Sequence, residues 1–464
     1  MGAEARRRGR PGRPAPLPPR LGAGRRPRAG AAGGRHLEPR AGPAEASGGG
    51  RRPVTTGFSR PDGRAAARPV PPQITGFQAP LEGVRAIAAL AVLLVHVAGS
   101  AGTITRGENA GWLFNGGKVG VALFFVLSGL LLYRPWAAAA LDGRPPPRAG
   151  GYLLKRALRI LPAYWVVVVI YMVTAGREYI GDPLSWVTLL TLAQTYVPDP
   201  AWTSVLGPSH LLPLWSLTVE VAWYITLPAT AAVLSWCARR ARTGDVGVIA
   251  KRLLLAIGVY GALSFPFTAF AFFPEHNAHA GVWLPRYFVW FAIGMALAVV
   301  TVWARLDERR PVAALCRAVS DSWAACWTAA AMLFVVGATP VTGPLTLADP
   351  DGFWTATLHL IVLGACGLAF AAPVALAPPG HPAMERTLGN PVMRFLGRVS
   401  YGVFLWQMII IVAWYEALDR AFRGNVLTDL PVLAAASIAA GALSFYLVER
   451  PMQAVRRRFR ARPS

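Results

Sequence analysis

The chain has 464 residues, 54% of them hydrophobic and only 15% charged, with a formal net charge of +24. That balance is too apolar for an ordinary soluble domain, so lipid is the solvent the composition points to. The positive charge by itself would suggest nucleic acid, but residues 1–70 hold 16 Arg against four acidic residues, about half of the excess in a seventh of the chain. Basic segments flanking apolar spans mark the cytoplasmic ends of a membrane protein, so no nucleic-acid partner is expected.

Residues 1–75 are rich in Arg, Pro, Gly and Ala and almost without large apolar side chains, a composition that cannot offset chain entropy. They are expected to form a disordered cytoplasmic arm, or to reflect a translation start placed too early. Arg6-Arg7-Arg8 precedes no apolar core, which argues against a secretory or twin-arginine signal. A membrane domain is expected over 76–452 and a basic cytoplasmic tail over 453–464, where Arg456, Arg457, Arg458, Arg460 and Arg462 cluster.

A hydrocarbon core about 30 Å thick takes roughly 20 apolar helical residues to cross. Segments of that kind recur at 82–100, 118–137, 157–175, 211–236, 251–272, 286–304, 323–338, 354–378, 399–418 and 428–448, the seventh being short. The fold class is therefore an all-α, polytopic transmembrane bundle of about ten helices. Basic loops such as Arg144 to Arg159 and Arg386 to Arg398 alternate with weakly charged ones, which places both termini in the cytoplasm. Leu184 to Tyr196 is apolar but too short to span, and reads as an interfacial or re-entrant piece. No internal repeat is visible, which weighs against an inverted-repeat transporter. Cys237, Cys316, Cys326 and Cys366 form no CxxC pair, so no metal site or disulfide framework is expected.

Ionisable residues inside spans are costly and are functional candidates by default. The first span carries Arg85 and His96, eleven residues apart, hence about 20° apart around the axis and about 16 Å apart along it. They share one face. Alone, Arg85 reads equally as a snorkelling anchor and His96 as a satisfied core histidine. The second span contains Phe124-Phe125-Val-Leu-Ser128-Gly129, whose small residues suit close helix packing. Arg156 and Arg159 open the third span, where they serve either as docking groups for phosphates or as topology signals. The fourth span reads Trp215-Ser216-Leu-Thr-Val-Glu220, a carboxylate with no basic neighbour in sequence, which needs His96 or Arg85 from another helix as partner. The proposed topology puts His96 and Glu220 in the same outer half of the membrane.

Taken in order, Arg-x10-His at Arg85 and His96, the FFxxSG segment, the Arg-rich third span, the Trp-Ser-Leu-x-Val-Glu segment, Leu396-Gly397-Arg398-Val399-Ser400-Tyr401 and Glu449-Arg450-Pro451 resemble the integral membrane acyltransferase-3 family. The resemblance covers nearly all of residues 80–452. It implies a plasma-membrane O-acyltransferase taking an acyl group, acetyl foremost, from cytoplasmic acyl-CoA to a hydroxyl of a polysaccharide, glycolipid or secondary metabolite, with no metal. It further implies that Arg85, Arg156 and Arg159 bind the donor's phosphates. His96 would act as general base, its imidazole having an ordinary pKa of about 6.5, or as a transient acyl carrier, with Glu220 orienting it. Three positions depart from the family pattern: Ala122, Val221 and Gln407 stand where relatives often carry an acidic residue, a second glutamate and a histidine. Three rival readings follow: a proton-coupled transporter or flippase using the same Arg, His and Glu; a protein whose basic arms gather anionic lipid; and an inactive family member.

Overall fold

A computed structural model describes residues 78–453 apart from 107, 198–200, 203, 241–243, 309–310 and 346–351. The expected arm over 1–75, and all of the tail beyond Gln453, lie outside the described residues. Among the described residues the secondary structure is helical, with no strand. Nine helices among them are long and apolar enough to cross a membrane, and a bent pair brings the number to ten.

The first crossing, α1 (Ala79–Ser100), starts at Pro80, whose fixed φ and missing N–H suit a first helical turn. After a short 3-10 stretch, α2 (Val119–Asp142) returns and ends at Gly143 in a left-handed conformation, which glycine adopts without a Cβ penalty. The next crossing, α3 (Ala149–Val173), begins eight residues earlier than its apolar run suggests, because nothing in Ala-Gly-Gly-Tyr-Leu-Leu-Lys stops the helix. Arg156 and Arg159 are consequently about two and about three turns inside it.

The apolar piece too short to span is α4 (Pro183–Leu190), capped by Asp182, whose carboxylate accepts from the Leu184 and Ser185 amides and from the Ser185 hydroxyl. The Ser185 hydroxyl, helped by both amides, holds the Asp182 carboxyl below the usual aspartate range. This helix is fastened to α3 rather than crossing beside it: Tyr164 Oη and Trp165 Nε1 donate to the carbonyls of Leu189 and Leu190.

Four more crossings or half-crossings follow: α5 (Leu214–Arg239), α6 (Val246–Phe272), α7 (Leu284–Leu306) and the bent pair α8 (Pro311–Asp321) and α9 (Trp323–Ala338), which meet at 67°. The stretch Arg305 to Arg317, which lies between two expected spans, is therefore partly helical. The reason is amphipathic spacing: Val312, Ala313, Cys316 and Ser320 are buried on one face of α8, and Arg317 and Asp321 fall elsewhere. The chain closes with α10 (Phe353–Leu376), the short α11 (Pro382–Thr387), α12 (Pro391–Ala417) and α13 (Val426–Gln453). Asn390 and Asn425 cap the last two, accepting from the amides of Met393 and Leu427 at 3.0 Å each.

The core is built on the close pairing of α2 with α7 and of α1 with α12. Gly129 on α2 lies against Gly294 on α7, and a Cβ at Gly294 would stand 1.9 Å from the Val126 carbonyl oxygen. No larger residue fits there, so these backbones touch as small-residue membrane interfaces do. Large apolar side chains such as Ile225, Leu255, Met332 and Leu447 point outward, the arrangement that a hydrocarbon solvent favours.

Candidate functional site

Side chains from α1, α2, α3, α5 and α12 converge on a cavity of about 90 Å³ in the bundle interior. Its polar lining includes Arg85, Ser128, Arg156, Arg159, Glu220 and Tyr401. Phe124, Phe125, Leu131 and Phe404 supply apolar wall. Behind it, Trp223 and Phe125 stack on the two faces of Phe291, with ring centroids 4.5 and 4.6 Å away, a rigid backing for the polar groups.

Helix geometry explains the convergence. Glu220 and Tyr224 are four residues apart on α5 and so share a face, which allows the Tyr224 hydroxyl to donate to Glu220 Oε1. Ser128 of α2 donates to the same oxygen. Arg156 and Arg159, three apart on α3, likewise share a face. Tyr401 ties α12 to this wall by donating to the Ile160 carbonyl at 2.9 Å.

The charges in the cavity are unequally satisfied. Arg85 Nη1 pairs with Glu82 Oε1 at 3.0 Å, one turn away on α1. The fields of Arg85 and Arg156 both act on Glu220. Among the described residues, Arg156 and Arg159 make no hydrogen bond or ion pair, and the Nε of Arg156 is buried without a partner. Two guanidinium groups with open donors, facing one cavity, have the chemistry that an anion of phosphate or carboxylate type would match. No cluster of three or more His, Cys, Asp or Glu able to hold a metal occurs among the described residues.

Four of the five residues singled out from sequence, Arg85, Arg156, Arg159 and Glu220, therefore share one site, and His96 does not line it. The expected pairing of Glu220 with His96 is not formed, and no ion pair joins Glu220 to Arg85; the carboxylate accepts from Ser128 and Tyr224 instead, while Arg85 and Arg156 line the same cavity. The cause is topological. The main neighbours of α1 are α12, α2 and α13, and α5 packs on α2 and α6. His96 instead meets Gln407 on α12, and His96 Nδ1 and Gln407 Oε1 are both buried without hydrogen-bond partners among the described residues. Gln407 Nε2 donates to the carbonyl of Phe404 at 3.3 Å, and Phe404 lines the cavity, so the imidazole is about one helical turn beyond the cavity wall.

Ser128, quoted above only within its segment, and Tyr224, one turn beyond Glu220, also belong to the site. The i, i+4 spacing of Glu220 and Tyr224 is the available signal for the tyrosine. Of the three departures, Gln407 is beside His96, Ala122 is buried on α2, and Val221 is partly buried next to Glu220 without lining the cavity.

Comparison with known proteins gives a consistent picture. The model of the Acyl_transf_3 family, described as an acyltransferase domain, matches residues 79–449. The chain is 26% identical over 392 residues, 80% of its length, to a peptidoglycan O-acetyltransferase of Listeria monocytogenes, and covers 55% of that protein. It is 25% identical over 392 residues to a putative peptidoglycan O-acetyltransferase of Bacillus subtilis, covering 80% of this chain and 54% of the relative. It thus spans about half the length of those two relatives. Nodulation protein 10 of Rhizobium leguminosarum is 25% identical over 370 residues, 75% of this chain and 86% of that one. No solved structure matches.

Proposed function

This chain belongs to the acyltransferase-3 family and is an acyltransferase, and on that premise we propose that it moves an acyl group, acetyl foremost, from cytoplasmic acyl-CoA to a hydroxyl of a carbohydrate, glycolipid or related acceptor. The observation that carries the reading is the pair of unpartnered guanidinium groups, Arg156 and Arg159, opening into the same cavity as Arg85 and Glu220. An acyl-CoA holds its phosphates and its thioester at opposite ends of an extended arm. Phosphates at the arginines would leave the thioester to reach deeper into the bundle, in the direction of His96, about 16 Å along α1 from Arg85.

His96 is then the base that takes the proton from the acceptor hydroxyl as it attacks the thioester carbonyl, with the coenzyme thiolate leaving. Gln407 is the neighbouring side chain whose amide would hold the ring during the transfer. Glu220 serves a different purpose from orienting the base: it offsets positive charge between Arg85 and Arg156 and fixes Ser128 and Tyr224 on the cavity wall. The names of the relatives, which mention O-acetyltransfer to peptidoglycan, support a polymeric carbohydrate acceptor at the cell surface and a plasma-membrane location.

Release of free coenzyme A from acetyl-CoA by membranes containing the protein, with and without peptidoglycan fragments or polysaccharide, tests the reading. Acceptor-dependent release is expected. Transport of a solute with no thioester consumed would favour the transporter alternative.

A further inference from the structure

The closing motif Glu449-Arg450-Pro451 has no part in the reaction as described so far, yet Glu449 is 4% exposed and neither of its carboxylate oxygens has a hydrogen-bond partner among the described residues. A buried carboxylate in that condition is costly and persists only where something offsets it. The cation whose field acts on it is Arg159, and Tyr401, also on the cavity wall, feels the carboxylate in turn. The helix itself is adapted at this point. Over Phe445–Glu449 the last crossing widens into a π turn, which carries an extra residue and so rotates Glu449 away from its place on an unbroken α-helix. This widened turn packs against α3 and α12, the helices of Arg159 and Tyr401.

Charge balance around the cavity sharpens the point. Three arginines gathered together repel one another. Glu82 pairs with Arg85, and Glu220 is within the field of Arg156, which leaves Glu449 as the carboxylate for Arg159. The first pair is closed at 3.0 Å, whereas no hydrogen bond joins Glu449 to Arg159.

We infer that Glu449 is a positioning residue for the donor site: from behind the cavity wall it offsets the charge of Arg159 and leaves that guanidinium's hydrogen-bond donors open to an anionic ligand. The inference rests on the proposed reading of the arginines as the phosphate site of acyl-CoA.

The test uses the full chain, purified in lipid nanodiscs, as wild type, Glu449→Gln, Glu449→Asp, Arg159→Gln and the Arg159→Gln/Glu449→Gln double variant. Two quantities are measured: KM and kcat for acetyl-CoA, and the unfolding temperature without ligand. Glu449→Gln is expected to raise KM about tenfold with kcat within about twofold of wild type, because Arg159 loses the counter-charge that holds its guanidinium at the cavity wall and so loses one well-placed hydrogen bond to the donor. Glu449→Asp should recover most of that affinity. Without ligand, Arg159→Gln should lower the unfolding temperature by stranding the buried carboxylate, and adding Glu449→Gln should restore it. Additive losses in the double variant, or a fall in kcat with KM unchanged, would overturn the assignment. If the unfolding temperatures are coupled but Arg159→Gln leaves KM unaltered, the donor reading of the arginines fails and Glu449 is left with a purely structural pairing.

Discussion

Ser128 on α2 donates its hydroxyl hydrogen to Glu220 on α5, and this one bond joins the FFxxSG segment to the Trp-Ser-Leu-x-Val-Glu segment across a helix interface. Tyr224 donates to the same carboxylate oxygen. The acidic residue is thus the meeting point of two hydroxyls and the fields of two arginines, and the first expectations concern what happens when it is altered.

Glu220→Ala should strand both hydroxyls, at a cost of roughly 1–3 kcal/mol for each buried donor left unpaired. Glu220→Gln keeps an acceptor for Ser128 and Tyr224 but removes the charge. Thermal unfolding in detergent should therefore show a clear loss for alanine and a small one for glutamine, while both variants lose transfer activity. Equal unfolding temperatures for the two would contradict the hydroxyl contacts.

Arg156→Ala and Arg159→Ala should each raise KM for acetyl-CoA by roughly 10- to 100-fold, the range for a charge-assisted hydrogen bond worth about 1.5–3 kcal/mol. Lysine at either position should recover only part, since it lacks the planar fork that grips phosphate oxygens. Steady-state kinetics at two ionic strengths would check this, with the wild type losing more affinity in salt than either alanine variant.

Gly294→Ala should destabilise the bundle by about 1–3 kcal/mol, because its new methyl group would meet the backbone of α2 rather than a yielding side chain. Since α2 also carries Ser128, activity should fall alongside stability, whereas Gly258→Ala, on α6 with open space around it, should change neither. Detergent melting curves and coenzyme A release on the same preparations would separate the two.

The Asp182 cap gives an expectation for pH. Hydrogen bonds hold this carboxyl below the usual aspartate range, so its contribution is complete above that range and is lost only as pH falls toward the lowered value. Amide exchange at Leu184 and Ser185 should stay slow through neutral and mildly acidic pH and accelerate below it. In Asp182→Ala it should be fast at all of these values.

Much of the architecture is legible in the sequence because the length of an apolar run and the placement of arginine are direct consequences of the bilayer. The ten expected spans correspond to nine long helices and the α8–α9 pair among the described residues. What periodicity cannot convey is which helices touch. Depth alone matches His96 with Glu220, and depth says nothing about the intervening α2, which takes Glu220 for its own Ser128. The same limit hides Glu449: the sequence shows it only as the first residue of the closing Glu449-Arg450-Pro451 motif, and only the π turn and the packing on α3 reveal that it is buried. Arg85, Arg156, Arg159 and Glu220 are accessible because charge inside an apolar helix is conspicuous wherever it falls.

On the proposed function, His96 takes part in moving an acyl group from a coenzyme A thioester to a hydroxyl. The most direct measurement is transfer of a labelled acetyl group from acetyl-CoA to peptidoglycan or polysaccharide by the purified protein, comparing wild type with His96→Ala at matched unfolding temperature. Label on the acceptor is expected for wild type, with a reduction of roughly 10²–10⁴-fold for His96→Ala, the usual worth of a general base. Undiminished labelling by His96→Ala would contradict it.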